Sequence, residues 1–193
     1  MQREREYEGK PKDYRHTYSV VHVDDGGTLF RCDVVGHVTS HQLIFCTHSN
    51  EHVFSMRPNR KIMPTAWPVT DAKGQPVGRI TQKILGKGVW AATDSADREV
   101  FRIVDAEQAV DRVGRAVFGG VSSAYWLVQG DLLIATTSME PREAVTKRGI
   151  RAFLKAFVTP SDWVVRFVPE APEVDLRLVT AAMILLIDFT QIG

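Results

Sequence analysis

Apolar and polar residues alternate over short runs from about residue 17 onward, and turn residues separate these runs. A period of two is typical of β-strands that have one buried face. The predicted strands cover residues 17–23, 29–35, 37–45, 51–56, 125–128, 132–136 and 163–168, with further strands between residues 67 and 105. The pattern therefore predicts a mostly β domain built from many short strands.

Two segments of similar layout lie in the middle of the chain. Residues 71–80 (DAKGQPVGRI) are followed 23 residues later by residues 94–103 (DSADREVFRI). In each, an aspartate opens a turn, an apolar residue lies in the next strand and Arg-Ile closes the segment. Gly74 and Asp97 take matching turn positions, where either residue type tolerates a left-handed backbone. We expect two hairpins with the same internal layout.

Two segments in the second half of the chain have the spacing of short helices. Apolar residues recur at helical intervals after Asp105, and Gly119-Gly120 would end that helix. Residues 141–158 place apolar residues on one face and basic residues on another. We therefore expect one or two short helices in addition to the strands.

The most apolar segment of the chain lies near its C-terminal end. Residues 178–187 are apolar except for Thr180, so a helix formed by them is apolar on all sides and must be surrounded. A membrane span needs roughly 20 apolar residues, and this segment is bounded by Arg177 and Asp188. We expect a helix buried inside the protein and no transmembrane span.

The paired hairpins of residues 67–103 and the terminal segment carry a family resemblance. The terminal segment, residues 174–189, is VDLRLVTAAMILLIDF, which enters with Asp-Leu and ends with Ile-Asp-Phe. Both segments resemble the phospholipid scramblase-like and LURP-one-related (LOR) branch of the tubby-like superfamily. The resemblance implies a closed antiparallel β-barrel around the buried hydrophobic C-terminal helix.

Length and charge limit the classes of function. A chain of 193 residues suits one domain, and a net charge of +1 predicts no nucleic-acid binding. Two cysteines and no signal peptide favour a cytoplasmic protein, with a peripheral membrane location as the alternative. Residues 1–16, rich in alternating charge, predict a flexible charged arm before a single domain of residues 17–193.

Two basic clusters form a candidate surface for lipid or other anions. The candidate residues are Arg57, Arg60 and Lys61 in one cluster and Arg148, Arg151 and Lys155 in the other. Clustered Lys and Arg can hold anionic head groups, and the tubby-like resemblance implies phosphoinositide binding. The alternative to anion binding is a solvated helix face, because charge runs usually serve solubility.

The predicted function is a non-enzymatic domain that binds phospholipid head groups of an anionic membrane, or a protein partner, through this basic surface. The alternatives are a scramblase-like activity on phospholipid and a purely structural or interaction domain of unknown ligand. The chain has neither a phosphate loop nor a nucleophile elbow, so we expect no enzymatic activity.

All six histidines and both cysteines lie within the first 52 residues. Cys46 and His48 would share one face of an extended strand, so a zinc site could be built from this pair. Their spacing matches no standard zinc motif. The calcium-associated loop of the scramblase branch is matched only at Asp175, and its bending glycine is missing. We therefore expect no cofactor.

Overall fold

A computed structural model describes residues 2–6, 15–22, 26–35, 42–59, 65–82, 90–106, 125–141 and 161–190 of the chain. The strands are β1 (Gln2–Glu6), β2 (Arg15–Val21), β3 (Thr28–Val35), β4 (Leu43–Cys46), β5 (His52–Met56), β6 (Ala66–Asp71), β7 (Pro76–Gln82), β8 (Trp90–Asp94), β9 (Glu99–Asp105), β10 (Tyr125–Gln129), β11 (Leu132–Pro141) and β12 (Ser161–Phe167). A C-terminal helix, α1, spans Leu176–Thr190. The predicted mostly β content is confirmed.

All twelve strands belong to one antiparallel sheet in the order β1 to β12, without a crossover. The edge strands β1 and β12 approach each other, but no ladder joins them in the described part of the chain. The predicted closed tubby-like β-barrel is therefore wrong, and the sheet is open. A period-two pattern specifies strands, whereas closure also needs a hydrogen-bonded register between the first and last strands.

The strand β1 lies in the segment that was expected to be a flexible arm. Its residues pair with β2 from Gln2 opposite Ser19 to Glu6 opposite Arg15. The pattern of this segment does not predict a strand, because alternating charges do not define an apolar face. The division of the chain into residues 1–16 and 17–193 otherwise stays a prediction.

The β6–β7 and β8–β9 hairpins have the same turn geometry. The Oδ1 atom of Asp71 accepts hydrogen bonds from the backbone N–H groups two and four residues later, both at 2.8 Å. Asp94 accepts the equivalent bonds at 2.8 and 3.0 Å. Gly74 and Asp97 both have positive φ angles, 79° and 59°. The predicted equivalence of the two hairpins is confirmed.

The equivalence extends into a β-bulge on the second strand of each hairpin. The register skips Val77 in the first hairpin and Val100 in the second, so neither residue has a partner on the facing strand. The hairpins differ at the next position, where β7 has Gly78 and β9 has Phe101. Both positions are buried, so the exchange changes how much space the interior has at that point.

The helix α1 uses the space that Gly78 leaves. It packs against β6, β7 and β8. A Cβ atom on Gly78 would lie 2.1 Å from the carbonyl oxygen of Thr93 and 3.1 Å from Cδ2 of Leu178. A glycine is therefore required for β7, β8 and the helix to approach this closely.

The predicted burial of the apolar segment is confirmed. Residues 178–187 are all buried, including Thr180. One core cluster joins them to residues from every strand between β2 and β12. Because a fully buried large apolar side chain contributes about 1.5–3 kcal/mol, this cluster is the main source of stability. In the described part of the chain no helix is long and apolar enough to cross a bilayer.

Asp175 caps the N-terminus of α1. Its carboxylate accepts a hydrogen bond from the backbone N–H of Arg177 at 2.9 Å, and its carbonyl accepts one from Leu178 at 3.0 Å. Both carboxylate oxygens also bind the Arg177 guanidinium. Burial raises the pKa of Asp175, but the hydrogen bonds from Arg177 outweigh burial and leave this pKa below its ordinary value.

The two predicted short helices lie outside the described residues, apart from their first positions. Ala106 follows the end of β9, and Pro141, expected to begin the basic helix, is the last residue of β11.

Candidate functional site

The structure describes one of the six basic residues that were predicted to bind anions, Arg57. The other five, Arg60, Lys61, Arg148, Arg151 and Lys155, lie outside the described residues. Arg57 directly follows β5 and its side chain is exposed. The structure therefore describes the predicted basic surface at Arg57 alone.

Strand alternation directs Arg57 away from the core. Phe54 and Met56 of β5 are buried in the core cluster. Successive side chains of a strand point to opposite faces, so Ser55 and Arg57 lie together on the outer face. Ser55 is only 4% exposed even there. Its hydroxyl is covered because Gln42 and Thr70 contact it from the two sides.

A pocket of about 240 Å³ opens on this outer face. Its lining residues are Gln42, Ser55, Met56, Arg57, Pro68, Thr70 and Gly74. The set combines Gln42, which precedes β4, with residues of β5 and β6, with Arg57 directly after β5, and with Gly74 of the β6–β7 turn. Among the described residues that line it, Arg57 carries the one formal charge and none has a carboxylate. The described lining of the pocket is therefore positively charged.

The polar side chains of the pocket form a short chain of hydrogen bonds. Nε2 of Gln42 donates to Oγ of Ser55 at 3.4 Å. The hydroxyls of Ser55 and Thr70, which are cross-strand partners, lie 3.1 Å apart. Two hydroxyls have two hydrogens, and the bond between them uses one. One hydroxyl hydrogen is therefore left over by this chain, whichever residue donates to the other.

Pro68 shapes the wall of the pocket nearest Arg57. Its carbonyl accepts a hydrogen bond from the backbone N–H of Arg57 at 3.2 Å. Proline has no N–H to return a bond, so the β5–β6 ladder weakens where β5 ends. On its other side Pro68 pairs with Arg79 of β7. Arg57, which follows β5, and Arg79 of β7 therefore lie on opposite sides of Pro68 of β6.

Arg57 differs from the other arginines whose side chains the structure describes. Arg31, Arg79, Arg98, Arg102 and Arg177 each form an ion pair with an aspartate or glutamate. Arg166 donates a hydrogen bond to Ser138. Within the described part of the chain, the Arg57 guanidinium has no such partner. None of the described side chains therefore occupies its donors.

Compared with family models, curated proteins and solved structures, the chain has no match. The resemblance to the tubby-like superfamily stays a prediction.

The candidate metal pair, Cys46 and His48, lies at and beyond the C-terminal end of β4, whereas Gln42 of the pocket precedes the N-terminal end of this strand. The strand β4 ends at Cys46, and His48 lies in the exposed turn that follows. The extended geometry assumed for the pair therefore does not continue to His48. Among the residues the structure describes, no group of three His, Cys, Asp or Glu side chains could hold a metal.

Cys32, the cysteine outside the candidate metal pair, is buried in the core, and Cys46 is half-buried. Burial, together with the smaller effect of the Asp33 charge, raises the pKa of the Cys32 thiol to about 12. A thiol that stays protonated at neutral pH is a poor nucleophile and a poor metal ligand. Cys32 therefore has a packing role in this fold.

Gln42, Ser55 and Thr70 were not predicted as site residues from the sequence. Each is a single polar residue beside or within a strand, and such residues are common on the exposed face of any antiparallel sheet. What distinguishes them is the register that places Ser55 opposite Thr70. No local pattern in the sequence specifies that register.

Proposed function

We propose that this chain is a non-enzymatic domain that binds phospholipid head groups at an anionic membrane surface. The observation that carries the proposal is the exposed Arg57 guanidinium, which has no ion-pair partner among the described residues. It lies at a pocket whose described lining residues include no carboxylate. An unpaired guanidinium is a strong donor to phosphate oxygens. The predicted tubby-like resemblance and the basic excess of residues 141–158 support the same function.

A peripheral mode of binding fits the structure better than insertion. A scramblase-like activity would need the terminal segment in lipid, and α1 has that segment in the core of the sheet. Removing α1 would expose its ten consecutive buried residues and the strands against which it packs. Binding from the cytoplasmic side through side chains of the outer face requires no such change.

Co-sedimentation of the detergent-free protein with vesicles tests the proposal. The vesicles contain either phosphatidylcholine alone or phosphatidylcholine with a phosphoinositide, at low and at physiological salt. We expect binding to the anionic vesicles alone, and we expect it to weaken with salt because the attraction is electrostatic. Equal recovery with both kinds of vesicle, or none with either, would overturn the proposal.

Variants locate the surface that binds. Neutralising Arg57, Arg60, Lys61, Arg148, Arg151 and Lys155 together should abolish sedimentation with anionic vesicles. A matched control replaces six other exposed or half-exposed basic residues: Arg31, Lys73, Arg79, Arg98, Arg102 and Arg166. If the control variant loses binding as completely as the first, general charge explains the result and the proposed surface is wrong.

A further inference from the structure

We infer that the pocket beside Arg57 is a subsite for a single phosphate group. The inference rests on the proposed function only in that a lipid head group is one source of such a phosphate. It adds three residues to the predicted basic set, Gln42, Ser55 and Thr70. Gln42 donates an N–H to the phosphate, and the Ser55–Thr70 pair donates one O–H.

The described side chains of the pocket keep several hydrogen-bond donors that their own hydrogen bonds do not use. Arg57 offers up to five N–H groups, and the Ser55–Thr70 pair retains one O–H hydrogen. Gln42 uses one N–H on Ser55 and keeps a second. Phosphate oxygens accept hydrogen bonds and carry negative charge, so they match this set in both respects.

The electrostatics around the pocket favour an anion. Asp71, the neighbour of Thr70 in the sequence, has its Oδ1 atom occupied by two backbone N–H groups of the turn. Asp97 faces Arg79, which lies 2.6 Å from it. Neither carboxylate lines the pocket. The charge of Arg57 is therefore the one that a ligand in the pocket meets first.

The size of the pocket limits what it can hold. Drug-sized ligands occupy pockets of roughly 300–1,000 Å³, and this pocket has about 240 Å³. One phosphate group with the first atoms of its carrier fits such a volume. A whole inositol polyphosphate would extend beyond the pocket.

An exposed apolar residue lies beside the pocket. Ile44 pairs with Ser55 across β4 and β5 and is 50% exposed. An aliphatic side chain next to a phosphate subsite would contact the acyl region of a membrane phospholipid, which soluble glycerol 3-phosphate lacks. Ile44 therefore provides a way to distinguish the two sources of the phosphate.

A titration of the full chain with soluble probes tests the inference. The probes are inorganic phosphate and glycerol 3-phosphate, and the readout is the ¹H–¹⁵N shift of the backbone amides. We expect saturable shifts centred on residues 55–57 and 68–74. Shifts that do not saturate, or that are spread over all basic regions, would overturn the inference.

Two variants with a matched control sharpen the test. Arg57→Gln and the double variant Ser55→Ala/Thr70→Val, which removes both hydroxyls, should each weaken glycerol 3-phosphate binding about 10- to 100-fold, as expected for losing a hydrogen bond to a charged group. Arg79→Gln removes the same charge from the same face outside the pocket and should change affinity less than about threefold. Equal losses in Arg57→Gln and Arg79→Gln would show that general charge binds the probe. Because Arg57 is exposed, its variant tests the site even if the double variant fails to fold.

Vesicle binding separates this inference from the proposed function. If the vesicles bind the wild type and the Ser55→Ala/Thr70→Val double variant equally, the head-group function stands and the pocket subsite is wrong. If glycerol 3-phosphate binds in the pocket but no vesicle does, the subsite stands and the membrane function is wrong. Ile44→Ser should lower vesicle binding and leave glycerol 3-phosphate affinity unchanged, which would identify a membrane phospholipid as the source of the phosphate.

Discussion

Leu178 of the C-terminal helix lies over Gly78 of β7, with its Cδ2 atom 3.1 Å from the point that a Cβ on residue 78 would occupy. The equivalent residue of the second hairpin is the buried Phe101. Two hairpins with the same turn and the same bulge thus fill the interior in opposite ways. One has a large side chain of its own, and the other leaves the space to the helix.

Gly78→Ala is expected to lower the free energy of unfolding by at least about 1–3 kcal/mol, the usual cost of overpacking a core. Its Cβ would meet the backbone oxygen of Thr93, which cannot move without disturbing β8. Urea denaturation followed by tryptophan fluorescence measures the change. Gly74→Asn is the control, because residue 74 has open space around it and asparagine tolerates a positive φ. A Gly78→Ala protein as stable as the wild type would contradict the packing described for α1.

The turn position of Asp97 is expected to tolerate glycine and to reject alanine. Asp97 has a φ of 59°, which costs an ordinary residue about 1–2 kcal/mol. Asp97→Ala should lose about that much, whereas Asp97→Gly should remain within about 1 kcal/mol of the wild type. Both variants lose the exposed ion pair with Arg79, so Arg79→Gln measures that contribution separately. Equal losses in the alanine and glycine variants would contradict a role for backbone conformation.

The charge of Asp175 is expected to stabilise the fold at neutral pH and not in acid. Its folded-state pKa lies below the unfolded value of about 3.9, chiefly because the hydrogen bonds from Arg177 overcome the opposing effect of burial. A carboxyl with a lowered pKa adds stability above its unfolded pKa and loses it as the pH falls through the folded pKa.

Asp175→Asn isolates this charge, because asparagine keeps the capping oxygen. Its urea midpoint should lie below that of the wild type at pH 7, and the gap should narrow as the pH falls below about 4. Asp131→Asn, in the exposed β10–β11 turn, is the control and should show no such gap. A gap of the same size at pH 7 and pH 3 would mean that the ion pair with Arg177 does not contribute.

The two cysteines are expected to react with iodoacetamide at very different rates. Burial raises the pKa of Cys32 to about 12, so almost none of it is thiolate near neutral pH, and its side chain is not accessible. Mass spectrometry of the native protein should find the label on Cys46 first, and unfolding in urea should allow both to react. Cys46→Ser should remain unlabelled under native conditions. Labelling of native Cys32 as fast as Cys46 would contradict its position in the core.

The sequence predicts well those features that depend on neighbouring residues. An aspartate followed by a residue that tolerates positive φ was enough to predict two equivalent turns, and the apolar run of residues 178–187 was enough to predict a buried helix. The strand β1 was missed because its charges alternate without an apolar side. Closure of the sheet was predicted from the family resemblance, and the pairing of β1 with β12 that it required is absent from the described ladders.

The candidate site shows the same limit. Arg57 was found because it lies in a local run of basic residues, but Ser55 and Thr70 meet only through the register of β5 and β6. The bulges at Val77 and Val100 also alter register, and single-sequence periodicity does not locate them. Contacts between side chains on different strands therefore follow from the structure and not from the sequence pattern.

The sequential order of the strands has a consequence for synthesis. Each strand pairs with its neighbours in the chain, so every ladder can form soon after its second strand leaves the ribosome. The helix that covers β6, β7 and β8 begins at residue 176, 82 positions after the end of β8. Translation at about 5–20 residues per second needs roughly 4–16 s for that distance. For those seconds the nascent sheet presents an uncovered apolar groove, which is the kind of surface that chaperones hold until the last element arrives.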